Sequence, residues 1–374
     1  MAPKSMKSIF DVESDASKIS AKELNELTLH DILSMDSIST MKYLVQVGLF
    51  KARGGQCCDC GPDVVLTLIK VSDRNDGYKW RCPRCKKRER SIRHGSIFSG
   101  SNLDIVKAFA LLYTWARDFD NQHAVWELGL SEMTVVRWYA RFRAVCLFHC
   151  QTMPKIGGPG KIVEFDQTCL VHQKHHRGKE KPGTQVWYCV GVERDSGGLC
   201  FFQRVPQRDV ETLDWVLGTY IADGTTLITD EWRATLNSHL RLADHQFQQF
   251  TIKHKEAYAR WVDIEDPELA ASLGIATNSE GHRWLRVHTN KCEGLNGILK
   301  HKLKRIRGTS LRHVDGYLAE AVFRQNARAK KYSSFLDAFV TEIALGDDFE
   351  LPAEEEMEDT GEDWDLADDS EPEE

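Results

Sequence analysis

Two cysteine pairs constrain this chain more tightly than any other feature. Cys57-x-x-Cys60 and Cys82-x-x-Cys85 are separated by 21 residues. Each pair can present two thiolates to one ion from a tight knuckle, and two knuckles complete a tetrahedral Cys₄ site. The intervening DVVLTLIKVSDRNDGYKWR reads as a β-hairpin with Asn75-Asp76-Gly77 at its turn. The expected unit is a zinc ribbon, one structural Zn²⁺ held by Cys57, Cys60, Cys82 and Cys85. Cys58 is adjacent, but only Cys57 gives the CxxC spacing. Such a site contributes folding energy, not chemistry. Lys86, Lys87, Arg88, Arg90 and Arg93 follow it, a run suited to phosphate contact.

Those pairs belong to a set of eleven cysteines. Residues 1–20 contain no apolar core of signal-peptide length, and the chain has no run of 18 apolar residues. The reading is a reducing compartment, no secretion and no membrane partner, with paired cysteines as metal ligands before disulfides. The net charge of −7 misleads. Asp347 to Glu374 holds 16 acidic residues and no Lys or Arg, so residues 1–346 carry +9. The body is basic, as a polyanion partner requires. The tail is too acidic and too poor in apolar residues to fold, and is expected to be disordered over 347–374.

The rest divides by pattern. Residues 1–50 are a polar segment followed by helices, with Thr28 or Ser39 as N-caps. The ribbon occupies 51–100 and a helical region 101–156. Within the latter, NQHAVWELGLSEMTVVRWYARFRA (121–144) resembles a helix-turn-helix, with a turn at Gly129, Ser131 as cap, and Arg137, Arg141 and Arg143 on the second helix. Many αα-hairpins share that outline. Gly157-Gly158-Pro159-Gly160 reads as a linker. Beyond it, 162–171, 185–194 and 199–206 read as strands, with Asp195-Ser196-Gly197-Gly198 as a hairpin turn. A helix from Asp209 to Ala222, a strand at 225–230 and helices near 232–243, 290–306 and 311–330 follow. The expected class is mixed α/β.

Three acids stand out in this second half. Asp166 lies inside an apolar strand, where a carboxylate is unfavourable unless paired or metal-bound. Asp230 ends a later strand. Glu293 opens HTNKCEGLNGILKHKLKRIRG (288–308), where it is the one acid among Lys291, Lys300, Lys302, Lys304, Arg305 and Arg307. Glu293, Asn296 and Lys300 would share a helix face. Two strand acids and one helix acid suit a two-metal phosphoryl-transfer site. Each has a plainer alternative: Asp166 as a turn cap, Asp230 as a helix cap, Glu231 as the ligand instead. Lys300 and Lys304 lie on the face of Glu293 and are the candidates for phosphate contact. Lys302 and Arg305 read as solvated.

Several motifs, in order, resemble the DDE transposases of the Merlin superfamily and their bacterial insertion-sequence relatives. They are WRCPRCKKRERSIRHGSIFSGSNL (80–103), VEFDQT (163–168), VWYCVGVER (186–194), RVPQRDVETL (204–213), TLITDEWRA (226–234), HTNKCEGLNGILK (288–300) and GYLAEAVFRQN (316–326). The resemblance covers about residues 40–330. It implies an RNase H-like catalytic domain (157–335) preceded by a zinc ribbon and a helix-turn-helix-like region. It implies Asp166, Asp230 and Glu293 as an acidic triad for two Mg²⁺ or Mn²⁺, with Asn290 and Lys300 orienting the site and touching phosphate. It implies double-stranded DNA as partner, both element ends and target, with the ribbon, Arg137 and Arg141 on the ends, and a homo-oligomer on DNA. The location would be nuclear in a eukaryote, otherwise the cytoplasm or nucleoid. The alternative is a domesticated, non-catalytic DNA-binding protein. One departure is the stretch DIEDPELAASLGIATNSEGHRWLR, which sets Asp230 and Glu293 63 positions apart. It reads as a surface insertion near 264–287, because long loops cost little.

Overall fold

The computed structural model describes residues 6–13, 22–173, 185–194, 197–253, 256, 258–306, 309–344 and 364–366. The chain divides into two compact units, Met1–Val145 with Tyr332–Glu356, and Cys146–Lys331 with Met357–Glu374.

In the first unit, helix α1 (Leu29–Ser34) starts on Thr28, which shares a capping box with Asp31. Helix α2 (Ser37–Gln46) is capped by Asp36. Ser39, the alternative cap, is buried inside α2 instead. The ribbon pairs β1 (Gln56–Cys57) with β2 (Gly61–Val65), and β3 (Thr67–Lys70) with β4 (Tyr78–Arg81) and β5 (Glu89–Ser91), all antiparallel. Helix α3 (Ile105–Ala116) is apolar nearly all round and therefore central. Trp115 on α3 packs on Phe142, 5.2 Å away, and on Phe339, 4.9 Å away. Phe339 belongs to the helix Phe335–Ala344, which closes this unit from the far end of the chain. Helix α4 (Asn121–Leu128) ends on Gly129 in the left-handed conformation, φ +58°. The Ser131 hydroxyl accepts from the Thr134 N–H at the start of α5 (Glu132–Thr152). The expected helix–turn–helix outline is thus present, cap included.

The second unit starts with β6 (Ile156–Gly157), which pairs in parallel with β10 (Ile221–Ala222). The glycine run is no free linker. Gly157 donates to Glu193 Oε2 at 3.0 Å and Gly158 to Thr225 Oγ1 at 2.8 Å. Gly157 sits at φ +90°, where a side chain would be strained and would also meet Thr225.

The main sheet is built from β7 (Ile162–Gln173), β8 (Gln185–Glu193), β9 (Cys200–Val205), β11 (Thr226–Asp230) and β12 (Gln248–Ile252), in the order β12-β11-β7-β8-β9. Counted along the chain this is 5-4-1-2-3. The first three strands are antiparallel, and the last two run parallel to the first. Helix α6 (Val210–Tyr220) carries the crossover from β9 and covers one face, where Val163, Phe165, Phe201, Leu213 and Leu217 form the core. Helices α9 (Asn290–Arg305) and α10 (Leu311–Ala329) serve the same sheet, α9 against β7 and β8 and α10 against β9.

Two expectations change here. The 232–243 helix shrinks to α7 (Ser238–Arg241), because Asn237 adopts a left-handed conformation, φ +60°, and Thr235 bonds back to the carbonyls of Asp230 and Trp232. The 264–287 segment is not a surface loop. Strands β13 (Arg260–Asp263) and β14 (Trp284–Val287) pair antiparallel around α8 (Pro267–Ser272). Ile264, Ala270, Leu285 and Val287 pack on Ile162, Ile228 and Ile252 of the sheet. Within the acidic tail, Trp364–Leu366 pairs antiparallel with Val171–Gln173; the rest of 347–374 lies outside the described residues.

Candidate metal and nucleic-acid sites

The ribbon cysteines converge. One sulfur from each of Cys57, Cys60, Cys82 and Cys85 lies within 4.8 Å of the others, the only such His/Cys/Asp/Glu group of three or more among the described residues. Cys57 and Cys85 sulfurs are 3.9 Å apart, Cys60 and Cys82 3.8 Å. A tetrahedron with Zn–S bonds of about 2.3 Å has edges of about 3.8 Å, so these two spacings match those of a Cys₄ zinc site. All four thiols are free. Burial and the neighbouring thiols push Cys60 up to about 12. Burial also opposes ionisation of Cys82, but N–H groups of Cys85 and Arg84 outweigh it and draw that thiol down to about 6. Cys58 is exposed and its thiol faces Asp59 Oδ1, while Cys57 is the one of the two in the cluster.

Among the basic candidates of this unit, Arg137 is exposed. Arg141 is half-buried: it donates to the Ser99 carbonyl at 2.6 Å and stacks on Trp138. Arg143 is buried, and Arg93 is held by Asp76 through Nε at 2.8 Å. These three are engaged in the fold, and of the three arginines on α5 Arg137 is the exposed one.

In the second unit the parallel register Thr226↔Ile162 to Thr229↔Phe165, carried one residue further, sets Asp230 opposite Asp166. Neighbouring strands lie about 4.8 Å apart, and the two carboxylates share a face by alternation. That face is the one α9 covers, since Val163 and Phe165 point to α6. β11 ends here while β7 and β8 stay paired as far as His172↔Gln185. The sheet edge therefore has a step, with Asp230 at its foot and Asp166 in its wall.

Asp166 accepts from the Gln167 N–H at 2.8 Å and from Asn296 Nδ2 at 3.1 Å. Asn296 Oδ1 is buried with no hydrogen-bond partner among the described residues. A buried amide oxygen next to the Asp166 carboxylate offers oxygen donors of the kind a hard divalent cation takes. Asp230 Oδ1 accepts from the Glu231 N–H at 2.7 Å, and Glu231 itself is exposed. Glu293 lies on α9 one turn before Asn296 and is exposed. The three acids are not gathered as tightly as the four cysteines. Asn290 is exposed at the first turn of α9, and its N–H donates to His288 Nδ1 at 3.3 Å. Lys300 is half-buried and Lys304 exposed. Lys302 is bonded to the buried Glu320 at 2.8 Å. Arg307 lies outside the described residues.

The residue that sequence reasoning missed is Glu164. It is fully buried, two positions before Asp166 on the same face of β7. Thr289 gives α9 no side-chain cap. Glu164 takes that role from another element, its Oε2 accepting from the Lys291 N–H at 2.7 Å and the Cys292 N–H at 3.3 Å. Its Oε1 meets Arg194 Nε at 2.7 Å, and Arg194 also donates to the carbonyls of Arg286 and His288. Burial and the Arg194 charge hold the His288 ring below its usual range despite Glu164. The neutral ring is thus a hydrogen-bond partner rather than a cation. The signal was in the sequence as the alternation Glu-x-Asp in an apolar strand.

Sheet order and strand directions define an RNase H-like fold. Residues 157–326, somewhat under half of the chain, match the ISXO2-like transposase domain. Residues 157–326 of the second unit are therefore similar to a transposase-type domain. The male abnormal protein mab-31 of Caenorhabditis elegans is 25% identical over 158 residues, 38% of this chain and 36% of that protein. The match thus spans about a third of that relative's length. The catalytic core domain of BIV integrase aligns with 43% of this chain and 80% of its own, at 14% identity and a TM-score of 0.24.

Proposed function

We propose that this protein is a DNA transposase of the Merlin type, which cleaves at element ends and joins them to target DNA. The observation that carries the reading is the pair Asp166 and Asp230 on adjacent parallel strands, with Asn296 bonded to Asp166 and its Oδ1 left without a partner among the described residues. Asp166 and Asp230 would hold divalent metal, Mg²⁺ or Mn²⁺, and Glu293 would complete the set from α9. When bound, the two ions polarise the phosphodiester, activate the attacking oxygen and stabilise the leaving one. The chain's own part is positional. Asn296 fixes the Asp166 carboxylate, Glu164 fixes α9, and Lys300 and Lys304 on that helix meet phosphates. The Cys₄ ribbon would hold one structural Zn²⁺ and, with Arg137, contact the DNA ends.

A non-catalytic DNA-binding role is the second reading. It is favoured by the acids standing apart, Glu293 being exposed. A strand-transfer assay with end DNA and Mn²⁺ decides between them. Wild type should cleave and join; Asp166→Asn, Asp230→Asn and Glu293→Gln should each lose about a hundred- to a thousandfold in rate, the scale of a lost electrostatic contact to the reacting centre, while still binding DNA. Full activity in Glu293→Gln would move the third ligand to Glu231 or to an acid of 264–287. A wild type that binds DNA but never cleaves would leave the second reading.

A further inference from the structure

The hairpin β13–β14 has an underside and a top. Underneath, Ile264, Leu285 and Val287 pack on Ile162, Ile228 and Ile252, with Val262 against the same cluster. Ile252 is the register partner of Asp230, and Ile228 lies two residues before it on the same face. The hairpin therefore stands on the acid-bearing face of the sheet, directly beside Asp230. Register then fixes the top. Trp261 pairs with Arg286 and Asp263 with Trp284, on either side of the inward pair Val262↔Leu285. All four point away from the sheet by alternation. Trp261 is 63% exposed and Trp284 43%. They are diagonal neighbours across the two strands, with backbones about 7–8 Å apart.

This top is held in place. Arg194 donates to the Arg286 carbonyl at 2.8 Å and to the His288 carbonyl at 2.9 Å, and the same guanidinium meets Glu164. The hairpin is thus tied to the network that caps α9. Nor is the top an oily patch. Each indole sits opposite a charged residue, and the core of a protein–protein interface is depleted of charge. Flat rings set beside a cation are instead what stacks bases and neutralises their phosphates. Charge is also graded along the hairpin. Glu265, Asp266, Glu268 and Glu280 are exposed where the strands are joined, whereas Arg260, Arg286 and Lys291 are exposed at the end next to α9. A polyanion is therefore drawn to the α9 end, where Trp261 and Arg286 lie.

We infer that the top of β13–β14 is a stacking platform for unpaired DNA bases, with Trp261 and Trp284 as the rings and Arg286 meeting the phosphate between them. The inference deepens the transposase reading and rests on it for the source of the unpaired strand, which is DNA opened beside the acids. Because the underside packs on the neighbour of Asp230, bases held on this platform leave the strand next to the cleavage position.

The test measures affinity of the full-length protein, without divalent metal and against salt concentration, for a single strand of about 20 thymidines and for a duplex of the same length. Trp261→Ala and Trp284→Ala should each weaken single-strand binding about tenfold, with the salt slope unchanged, because stacking releases no counterions. Trp261→Phe should restore most of the loss. Arg286→Gln should lower the single-strand slope by about 0.7, one phosphate contact. Duplex affinity of the two tryptophan variants should stay within about twofold of wild type, since paired bases offer no free face. A melting curve for each variant separates loss of the platform from loss of fold, and if Trp284→Ala does not fold, Trp261→Ala and Trp261→Phe carry the test. Equal single-strand binding by a folded Trp261→Ala and wild type overturns the platform. So does an equal loss on single strand and duplex. Self-association that disappears in Trp261→Ala while single-strand binding stays would make this face a contact between copies instead. Cleavage by wild type in Mn²⁺ is scored separately. Absent cleavage with tryptophan-dependent single-strand binding would sink the transposase reading and leave the platform. Cleavage with no tryptophan effect would sink the platform alone.

Discussion

The four cysteines of the first unit and the three acids of the second are both candidate metal sites, yet only the cysteines are drawn together. The thiols lie within 4.8 Å of one another. The acids sit on two strands and a helix, and Glu293 stays in solvent. The difference is chemical. A thiol cluster need carry little charge, Cys60 being pushed up to about 12 while only Cys82 is drawn down to about 6, so a knuckle fold can pack four side by side with little repulsion. Carboxylates at neutral pH are charged, and closing three on one point without a cation costs several kcal/mol. A structural site is closed by its fold, whereas a reactive site must keep a position open for substrate.

Breaking each site should therefore produce different losses. The largest is expected in the ribbon. Cys82→Ser removes a ligand from a closed site whose metal is worth on the order of 10 kcal/mol in small zinc domains. Elemental analysis should fall from about one zinc per chain to none, with the ribbon unfolding; a full zinc load in that variant would remove the assignment. Changing an acid should do the reverse, leaving zinc content and melting temperature intact while strand cleavage disappears.

Glu164→Gln tests what holds the acids in place. It removes the charge that meets the half-buried Arg194 and weakens the cap of α9, so a loss of about 3 kcal/mol in stability is expected from denaturant unfolding. Replacing an exposed acid such as Glu231 should change stability by less than about 0.5 kcal/mol. Equal effects would mean that the Glu164 network is not what fixes α9.

The smallest expected effect is on DNA affinity. Lys300→Ala with Lys304→Ala should lower the salt slope by roughly one unit per lost phosphate contact. Lys302→Ala with Arg305→Ala should change the slope less, since Lys302 is bonded to Glu320, and should cost stability instead. An unchanged slope in the first pair would place DNA away from this helix face.

The parts legible in the sequence are those with a local rule. CxxC spacing fixes the knuckles, apolar runs fix β7, β8 and β9, and the turn at Gly129 fixes the helix pair. β12 escaped because Gln248 and Gln249 open QQFTI and mask a short edge strand. The 232–243 segment looked helical by composition, but side-chain bonds from Thr235 to the preceding carbonyls stop it. The second cluster of apolar residues in 264–287 carries no period that distinguishes a folded hairpin from a loop. Asp166, Asp230 and Glu293 could be named as acids, but their partners could not. Asn296 and Glu164 act across more than a hundred residues of chain, which no window along it can register.

That long reach has a consequence for anyone who would exchange parts of this molecule. The helix bearing Glu293 does not own its N-terminal cap; the cap is lodged in β7, and its clamp, Arg194, at the end of β8. A transplanted α9 would arrive with bare amides and fray from the end where the third acid sits. The transferable module is therefore scattered along the chain: residue 164, residue 194 and 288–305 have to travel together.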